Sequence, residues 1–536
     1  IVEPPFKKFT VINSLKGGST MKSEPIERSL SDTVRNNHSL SLYLDNLSRG
    51  RQATPRSWLY ENRDAKSVLQ EWISIMKSAN NKSPLADEFN HFDLKQVEKF
   101  GPQGEVPPIQ SHECQEVIEP LFTPSDYDDE SALKHFWRDA AEFGRLAFGR
   151  NAKRNRPLSF ESVVDDMRAR DTLTTNSGFP RFTRRDSVKS EEIQDAITGK
   201  AYEYPAIILF RQYNGKLRPV WMFPMSCNLI EFTFSQRIQK CLLESEVDWI
   251  REYVSPWLGF NNVKLELTKQ WPHGGPIDGG DTTKMDAHMR PAQIRLVFEI
   301  VKQLFQEKYW DQLHQSLMHI CEIPLLYSTS RAYVGVHGLA SGSGWTQLTE
   351  TVLQLFMAWK RGVIGQGIGD DFYWVADMDA NELVDYLGKF GLPANPSKQT
   401  VSTTTLTFLQ RMNHVKFFSR EDPSTLGAYY PTIRALNSML QPEKFHKPKD
   451  WNSDMFCIRN YMILENCVDN PCFDEFVKFV CKGHRDMIPF AKQSASKLNA
   501  IQKKARLIPG LSPSYNQEKL QRPLSSFASI QLAKNW

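Results

Sequence analysis

The stretch QGIGDDFYWVAD, residues 366–377, carries a Gly-Asp-Asp triplet between apolar and aromatic residues. This pattern predicts two short strands joined by a tight turn at Gly369-Asp370-Asp371. Such a turn would expose two carboxylates rigidly at one edge of a sheet. Most Gly-Asp-Asp triplets are simply polar turns, so this one indicates a functional site only if a second acidic segment accompanies it.

The second acidic segment is Asp281-Thr-Thr-Lys-Met-Asp286, which follows a Gly-rich run and precedes a helix predicted to open at Pro291. Phosphoryl transfer between nucleotides uses two Mg²⁺ ions about 3.5 to 4 Å apart, held by carboxylates from more than one segment. At the end of a strand, Asp281 could bridge both ions. Asp286 either accepts a hydrogen bond from a ribose 2′-hydroxyl or is an ordinary surface acid at a helix start.

A Gly-rich segment between these two runs from Gly338 to Thr346 and enters a predicted helix. Its glycines, Gly342 among them, allow a loop whose backbone approaches a ligand, and Ser341 and Thr346 supply hydroxyls at the helix start. The alternative is a flexible linker. A linker is not usually embedded between two strongly apolar segments, so we favour a binding loop.

Composition indicates a large globular chain of several lobes: 536 residues, 40% hydrophobic and 24% charged, with a formal net charge of +4. No stretch is apolar for the length of a membrane span, and the first residues lack the apolar core of a signal peptide. Eight cysteines without a CxxC pair predict free thiols in a reducing compartment. We interpret the group from Cys457 to His484 as buried structural cysteines rather than a zinc site.

Charge and periodicity indicate further elements. Residues 145–189 hold eleven Lys or Arg against five Asp or Glu, which fits either a phosphate-binding surface or a solvated helix face. Helical periodicity predicts helices at 65–79, 130–148, 291–310 and 346–360. Two strand-like segments flank Asn214-Gly215, which predicts a hairpin with a type I′ turn. Its arms carry Arg211, Lys216 and Arg218.

The order DTTKMD, SGSGWT and GDD resembles motifs A, B and C of viral RNA-dependent RNA polymerases, nearest to picobirnaviruses and next to partitiviruses. Four further segments resemble other motifs of this family. Residues 175–180 resemble motif G, which would place Ser177, Gly178 and Pro180 at the template entrance, and the basic hairpin resembles motif F. Lys398 resembles the motif D lysine that protonates pyrophosphate, and residues 408–412 resemble the primer-gripping motif E.

The resemblance implies template-directed transfer of ribonucleoside monophosphates from NTPs to an RNA 3′-hydroxyl. Asp281, Asp370 and Asp371 would bind two Mg²⁺ ions, which Mn²⁺ can replace, and Lys398 would be catalytic. The substrate-binding residues would be Asp286, Ser341, Gly342, Thr346, Lys216, Arg218, Arg211 and Glu350. Glu350 is a departure, because family members commonly have Asn at that position.

The implied fold is α+β, a largely helical right hand with an antiparallel palm sheet. We expect residues 1–100 to bridge fingers and thumb, 101–280 to form mainly fingers, 281–420 mainly palm, and 421–536 the thumb and tail. Expected partners are the RNA template and product duplex, NTPs and a viral capsid protein, without a membrane. The expected location is the virion interior and the host cytoplasm.

Two other functions compete with this interpretation. A DNA-copying polymerase would usually carry a bulky residue at the position of Asp286. A noncatalytic RNA-binding or capsid-associated protein would explain the basic segment but not the acidic and Gly-rich motifs.

The stretch after about Ala505 is rich in Pro, Ser and Gln and contains Leu507, Tyr515, Phe527 and Trp536. We expect it to pack against a groove without a helix of its own, partly in the path of product RNA, or else to be disordered.

Overall fold

The computed structural model describes residues 21–511 and 522–536, which form twenty-two α-helices and eleven β-strands. The helices are α1 (Arg28–Asn36), α2 (His38–Leu47), α3 (Ala65–Asn80), α4 (Ala86–Leu94), α5 (His112–Phe122), α6 (Trp137–Phe148), α7 (Phe160–Ala169), α8 (Arg185–Thr198), α9 (Met225–Leu243), α10 (Asp248–Tyr253), α11 (Phe260–Gln270), α12 (Met285–His288), α13 (Pro291–Val301), α14 (Trp310–His319), α15 (Thr346–Arg361), α16 (Ala380–Gly388), α17 (Thr432–Leu440), α18 (Ser453–Glu465), α19 (Phe473–Lys482), α20 (Met487–Ala491), α21 (Ala495–Arg506) and α22 (Ala528–Ala533). The strands are β1 (Lys22–Pro25), β2 (Ala206–Tyr213), β3 (Lys216–Met222), β4 (Ile277–Gly280), β5 (Leu325–Leu326), β6 (Arg331–Val334), β7 (Ile364–Ile368), β8 (Asp371–Val375), β9 (Thr400–Ser402), β10 (Thr405–Phe408) and β11 (Arg411–His414).

A four-stranded antiparallel sheet in the order β7-β8-β4-β9 carries the acidic motifs. Ile368 pairs with Asp371 across the β7–β8 turn, and Gly280 at the end of β4 pairs with Phe372 at the start of β8. Because β4 ends where β8 begins, Asp281 and the 369–371 turn lie at the same edge of the sheet. The predicted strand pair around the Gly-Asp-Asp triplet is confirmed.

The basic hairpin belongs to a second sheet with the order β1-β6-β5-β2-β3. Tyr213 pairs with Lys216, and the two turn residues have positive φ, +53° at Asn214 and +72° at Gly215. Positive φ at both central residues defines a type I′ turn, which glycine adopts without steric cost and asparagine tolerates. The predicted hairpin is therefore confirmed.

Two helix predictions are wrong at their ends. The α-helix predicted over 130–148 begins only at Trp137, since the Asp129 carboxylate accepts bonds from the Ser131 backbone and hydroxyl (both 2.9 Å) and forms a turn first. The helix predicted over 291–310 ends at Val301. The backbone beyond it pairs with residues 153–155 instead: Asn155 N–H donates to Leu304 (3.1 Å), and Gln306 N–H donates to Asn155 (2.9 Å).

Two large hydrophobic cores organise the chain. One joins helices such as α6, α9, α13 and α15 to the two sheets. The other packs α3 against the C-terminal helices from α17 onward. The Trp72 indole donates to the Thr432 hydroxyl (2.8 Å) and its ring lies 4.6 Å from that of Phe476, so this N-terminal helix belongs to the C-terminal core. The predicted domain boundaries stay predictions.

The last residues form a helix, so the expectation of a tail without one is wrong for Ala528–Ala533. Phe527 and Ile530 are buried in the C-terminal core, and the Glu465 carboxylate accepts from the backbone N–H of Ala528 (2.8 Å) and of Ser529 (3.1 Å). Tyr515 lies outside the described residues. Deletion of residues 506–536 would therefore remove part of the C-terminal hydrophobic core as well as any segment that lies in the path of product RNA.

All eight cysteines are unpaired and buried, as predicted. Among residues 21–511 and 522–536, no helix combines the length and the apolar character that crossing a membrane requires.

A buried ion pair fastens α11 to the C-terminal helices, because Lys264 Nζ lies 3.0 Å from Asp469 Oδ2 and both side chains are almost fully buried. We predict that Lys264→Met lowers the free energy of unfolding by about 3 kcal/mol or more, since it leaves a buried charge without its partner.

The matched control is Lys269→Met on the same helix. Lys269 pairs with Glu266 at 3.3 Å, but its side chain is 67% exposed, so the change should be below about 0.5 kcal/mol. Urea denaturation measures both variants. Equal losses in the two would contradict the importance of the buried pair.

Candidate active site

A cavity of about 840 Å³ lies at the sheet edge that carries the acidic motifs. Carboxyl groups of Asp286, Glu350, Asp370 and Asp371 line it together with Thr346. Basic side chains from the hairpin and from the C-terminal region line it as well: Arg211, Arg218, Arg411, Arg434, Lys444 and Arg459. Acidic and basic side chains thus face one cavity, which suits the binding of a metal-bound polyanion.

Helix α15 holds the Gly-Asp-Asp turn in place. The Thr351 hydroxyl donates to the Gln347 carbonyl (2.6 Å) and accepts from the Gly369 N–H (2.9 Å). The Gln354 amide donates to the Gly369 carbonyl (2.6 Å), and its oxygen accepts from the Tyr253 hydroxyl (2.7 Å). Since both sides of the turn's backbone are bonded, the turn is fixed relative to the helix.

Asp370 and Asp371 have different surroundings. Asp371 Oδ2 accepts from the Leu409 N–H (2.9 Å), which ties the turn to the segment resembling motif E. Burial and the neighbouring Asp370 raise the pKa of Asp371 to about 7. Burial also raises the pKa of Asp370, as do Asp286 and Asp281, whereas the charge of Arg218 lowers it. The pKa of Asp370 thus reflects two opposing effects, the neighbouring carboxylates that raise it and the hairpin cation Arg218 that lowers it.

Asp281 is exposed directly after β4, where Gln399 holds its backbone: the Asp281 N–H donates to Gln399 Oε1 (2.9 Å), and Gln399 Nε2 donates to the Asp281 carbonyl (2.6 Å). The predicted position of Asp281 at a strand end is confirmed.

Lys398 precedes Gln399 on an exposed 3-10 turn and does not line the cavity. Its catalytic role stays a prediction.

Glu350 and Asp286 lie within hydrogen-bond contact of each other. Burial raises the pKa of Glu350 well above its usual range, and the adjacent Asp286 and Asp370 raise it further. Two carboxyl groups in contact inside a protein cannot both be ionised cheaply, so protonation of Glu350 is favoured, and its O–H would then donate a hydrogen bond to Asp286. A protonated Glu350 would thus present a donor to Asp286, as the Asn expected from the resemblance would.

The Gly-rich loop packs against the hairpin strand β3. A Cβ on Gly342 would lie 1.5 Å from the Trp221 carbonyl oxygen, and the Ser341 hydroxyl accepts from the Trp221 N–H (3.4 Å). Buried Glu231 accepts from the Ser343 hydroxyl and from the Gly344 N–H (3.0 Å). Thr346 donates back to the Ala340 carbonyl (3.1 Å). The close approach that the glycines permit is therefore made to this chain's own backbone.

The three predicted hairpin cations differ in their partners. Arg211 makes a two-pronged ion pair with Glu443, with both N–O distances 3.0 Å, so its charge is already offset. Arg218 is exposed to the cavity, with its guanidinium 5.3 Å from the centre of the Tyr213 ring. Lys216 is exposed at the turn and does not line the cavity. The roles of Arg211 and Lys216 in substrate binding stay predictions.

The segment resembling motif G is held by its own contacts. Ser177 is fully buried, and its hydroxyl accepts from the Thr183 N–H (3.2 Å). Gly178 has φ +69°, and a Cβ there would meet the Phe223 carbonyl oxygen at 2.5 Å. Template contact by Ser177, Gly178 and Pro180 stays a prediction.

In the basic segment, residues 145–189, ion pairs with nearby acids reduce the charge available for phosphates. The paired side chains are Arg168, Arg170, Arg181 and Arg184.

The sequence motifs do not identify four residues that position the site: Thr351, Gln354, Glu231 and Gln399. A signal exists for two of them, since Gln347, Glu350, Thr351 and Gln354 form a polar stripe at helical spacing on an otherwise apolar helix. Such a stripe predicts a helix face directed at polar groups. Nothing in the local sequence distinguishes Glu231 or Gln399.

The carboxyl groups at the sheet edge suit a divalent cation. Asp281 and Asp370 supply hard oxygen ligands from two segments at this edge, and the negative charge of Asp281, which helps to raise the pKa of Asp370, is what a cation would neutralise. No three Asp, Glu, His or Cys side chains form a preassembled cage among the described residues. Magnesium sites typically use one or two carboxylates and complete their shell with water and substrate phosphates, so two such ligands suffice.

No protein-family model matches the chain. A protein described as a potential RNA-dependent RNA polymerase of human picobirnavirus (strain Human/Thailand/Hy005102/-) is 26% identical over 485 residues, covering 84% of this chain and 86% of the relative. The crystal structure of the RNA-dependent RNA polymerase of a human picobirnavirus superposes with a TM-score of 0.76 at 23% identity, covering 96% of this chain and 100% of that one. The chain has the fold of a picobirnavirus RNA-dependent RNA polymerase.

The insertion-loop deletion mutant of that picobirnavirus polymerase gives the same TM-score, 0.76, at 22% identity and with the same coverage. The match over nearly the whole of both chains confirms the predicted α+β right-hand architecture.

The contact of Gly342 with Trp221 generates a prediction about the loop. We expect Gly342→Ala to lower the free energy of unfolding by about 2 kcal/mol or more, because the added Cβ meets backbone that cannot move independently. The matched control is Gly388→Ala at the end of α16, where a Cβ meets nothing within 4 Å. Gly388→Ala should be neutral or slightly stabilising. Chemical denaturation measures the free energy of unfolding of both variants. Similar values would contradict the prediction, because they would show that the loop can shift to accommodate a Cβ at little cost.

Proposed function

We propose that this chain is an RNA-directed RNA polymerase, which transfers ribonucleoside monophosphates from NTPs to an RNA 3′-hydroxyl for replication and transcription of a viral RNA genome. One observation supports this most: Asp286, Asp370 and Arg218, predicted to contact sugar, metal and triphosphate, line the same cavity. RNA and NTPs are the substrates, and base choice comes from pairing with the template.

Asp281 and Asp370 are the principal metal ligands in this proposal, with Asp371 in support. Bound Mg²⁺, or Mn²⁺ in its place, would lower the pKa of the attacking hydroxyl and neutralise charge on the leaving pyrophosphate. Asp371 also anchors the turn through Leu409, so part of its contribution is positional. Arg218, which lies on the hairpin and not on the sheet that carries the carboxylates, supplies positive charge to the triphosphate.

Asp286 and Glu350 select the sugar. Protonated Glu350 donates to one oxygen of Asp286, which orients the carboxylate and leaves its other oxygen to accept from a ribose 2′-hydroxyl. Thr346 lies one helical turn before Glu350 in the same cavity lining and can contact the same sugar. The Ser341 hydroxyl accepts from the Trp221 N–H, so its role in this proposal is to hold the Gly-rich loop against β3.

The noncatalytic alternative is weaker because four carboxyl groups besides Glu443, which pairs with Arg211, line the cavity, and a surface that only bound RNA would have no use for them. A capsid protein as partner, and a location in the virion interior and the host cytoplasm, are further proposals that rest on the resemblance alone.

We predict that Asp281→Ala and Asp370→Ala each reduce templated, Mg²⁺-dependent ribonucleotide incorporation at least about a thousandfold, since each removes a metal ligand and not a core side chain. The matched control is Asp385→Ala on an exposed face of α16, which should retain full activity. Circular dichroism establishes that the variants are folded. Incorporation above a few per cent of normal in either variant would refute the ligand assignment.

We predict that Asp286→Ala weakens discrimination between ribo- and deoxyribonucleotides, because a site that bonds a hydroxyl rejects the analogue lacking it. Glu350→Gln should preserve discrimination, since an amide also donates to Asp286, whereas Glu350→Ala should reduce it. The measurement is the ratio of kcat/KM for the two substrate types. An unchanged ratio in Asp286→Ala would exclude this role.

A further inference from the structure

The hairpin is not the only source of cations in this region: Arg434 lines the cavity, and Lys99 lies beside the hairpin turn, outside the cavity lining. Arg434, on helix α17, lines the same cavity as Arg218. Lys99, at the end of a 3-10 turn over Lys95–Lys99, lies against the hairpin turn: its Cγ is 3.6 Å from the place a Cβ on Gly215 would take. Neither residue belongs to a segment that the sequence motifs identify.

The chain directly after Lys99 is bonded to both the hairpin and α17, which places this lysine near both elements. The Gly104 N–H donates to the Gln212 carbonyl (2.9 Å), and the Asn214 N–H donates to Gln103 Oε1 (2.8 Å). On the other side, the Gly101 N–H donates to Asn437 Oδ1 (3.3 Å). The segment that follows Lys99 is therefore bonded to the hairpin on one side and to α17 on the other.

The charges around Lys99 are nearly all positive. Burial lowers the pKa of Lys99, and Lys216, Arg434 and Arg218 lower it further, with only Glu98 acting in the opposite direction. Neighbouring Arg211 differs, because Glu443 pairs with it. Within the part of the chain that the structure describes, no hydrogen bond or ion pair to a carboxylate occupies Lys99, Lys216, Arg218 or Arg434.

Cations that lie near one another with few counter-charges repel, and a bound anion relieves that repulsion. We propose that Lys99 and Arg434 complete, with Lys216 and Arg218, a site for the triphosphate of the incoming ribonucleoside triphosphate. This rests on the proposed function and adds two residues from segments far apart in the chain. A triphosphate concentrates several negative charges on neighbouring groups, which suits a compact cluster. An RNA strand spreads its charges along a row, and would be matched by cations arranged along a groove.

The test uses the full chain with Lys99→Met, Arg434→Met and the double variant. With saturating primer–template and Mg²⁺, each single change should raise the KM for NTP about tenfold, because each removes a charged contact to phosphate. The affinity for labelled primer–template, measured by anisotropy, should stay within about twofold. Lys95→Met, on the same 3-10 turn and exposed, is the matched control and should change neither quantity.

Two further measurements separate binding from folding. Lys99→Arg keeps the charge and should retain the KM of the unaltered chain, a rescue that a purely structural role would not show. Inhibition by a nucleoside monophosphate should be unaffected by Lys99→Met, whereas inhibition by a nonhydrolysable triphosphate should weaken in parallel with KM.

The outcomes distinguish the two proposals. Incorporation by Lys99→Met and Arg434→Met with unchanged NTP KM would overturn the triphosphate site and leave the polymerase assignment intact. Loss of primer–template affinity with unchanged KM would assign the cluster to RNA and also overturn the site. Absence of templated incorporation by the unaltered chain would overturn the proposed function itself.

Discussion

The contact between α15 and the Gly-Asp-Asp turn is the constraint on which the cavity depends. Thr351 and Gln354 bond the backbone of Gly369 from two directions, which fixes the turn that carries Asp370 and Asp371 relative to the helix that carries Glu350. Without this contact, four carboxyl groups would relax toward solvent to reduce their repulsion. The fold instead holds them together, and the raised pKa values of Asp370 and Asp371 reflect the free energy this requires. A binding partner of opposite charge recovers that energy.

Local signals account for what the sequence predicts well. The hairpin is predictable because Asn-Gly at positions 214–215 suits a turn whose two φ angles are positive, a requirement set by two residues alone. The β7–β8 turn is predictable for a similar reason. The order of three motifs along the chain then indicates a resemblance to viral RNA-dependent RNA polymerases, and that resemblance implies the antiparallel sheet that brings Asp281 beside the turn.

Tertiary contacts decide what the sequence does not predict. Arg211 and Arg218 are indistinguishable as hairpin cations until Glu443, more than two hundred residues later, is seen to pair with only one of them. The helix expected over 291–310 ends early because residues 153–155 compete for its backbone bonds. Glu231 reveals its role only through Ser343 and Gly344, which reach it from a distant loop. In each case the deciding partner is remote in sequence.

The pairing of Arg211 explains how the hairpin can present positive charge without losing its position. Arg211 and Arg218 are cross-strand partners, and like charges placed opposite each other destabilise a strand pair. Glu443 offsets one of the two charges with a two-pronged contact, the geometry in which an ion pair is strongest. The same contact ties the hairpin to the segment after α17, beside the Gln103 bond to the Gln441 carbonyl (2.8 Å). Arg211 thus anchors the hairpin across the cavity, and Arg218 keeps its charge directed at the carboxyl groups on the other side.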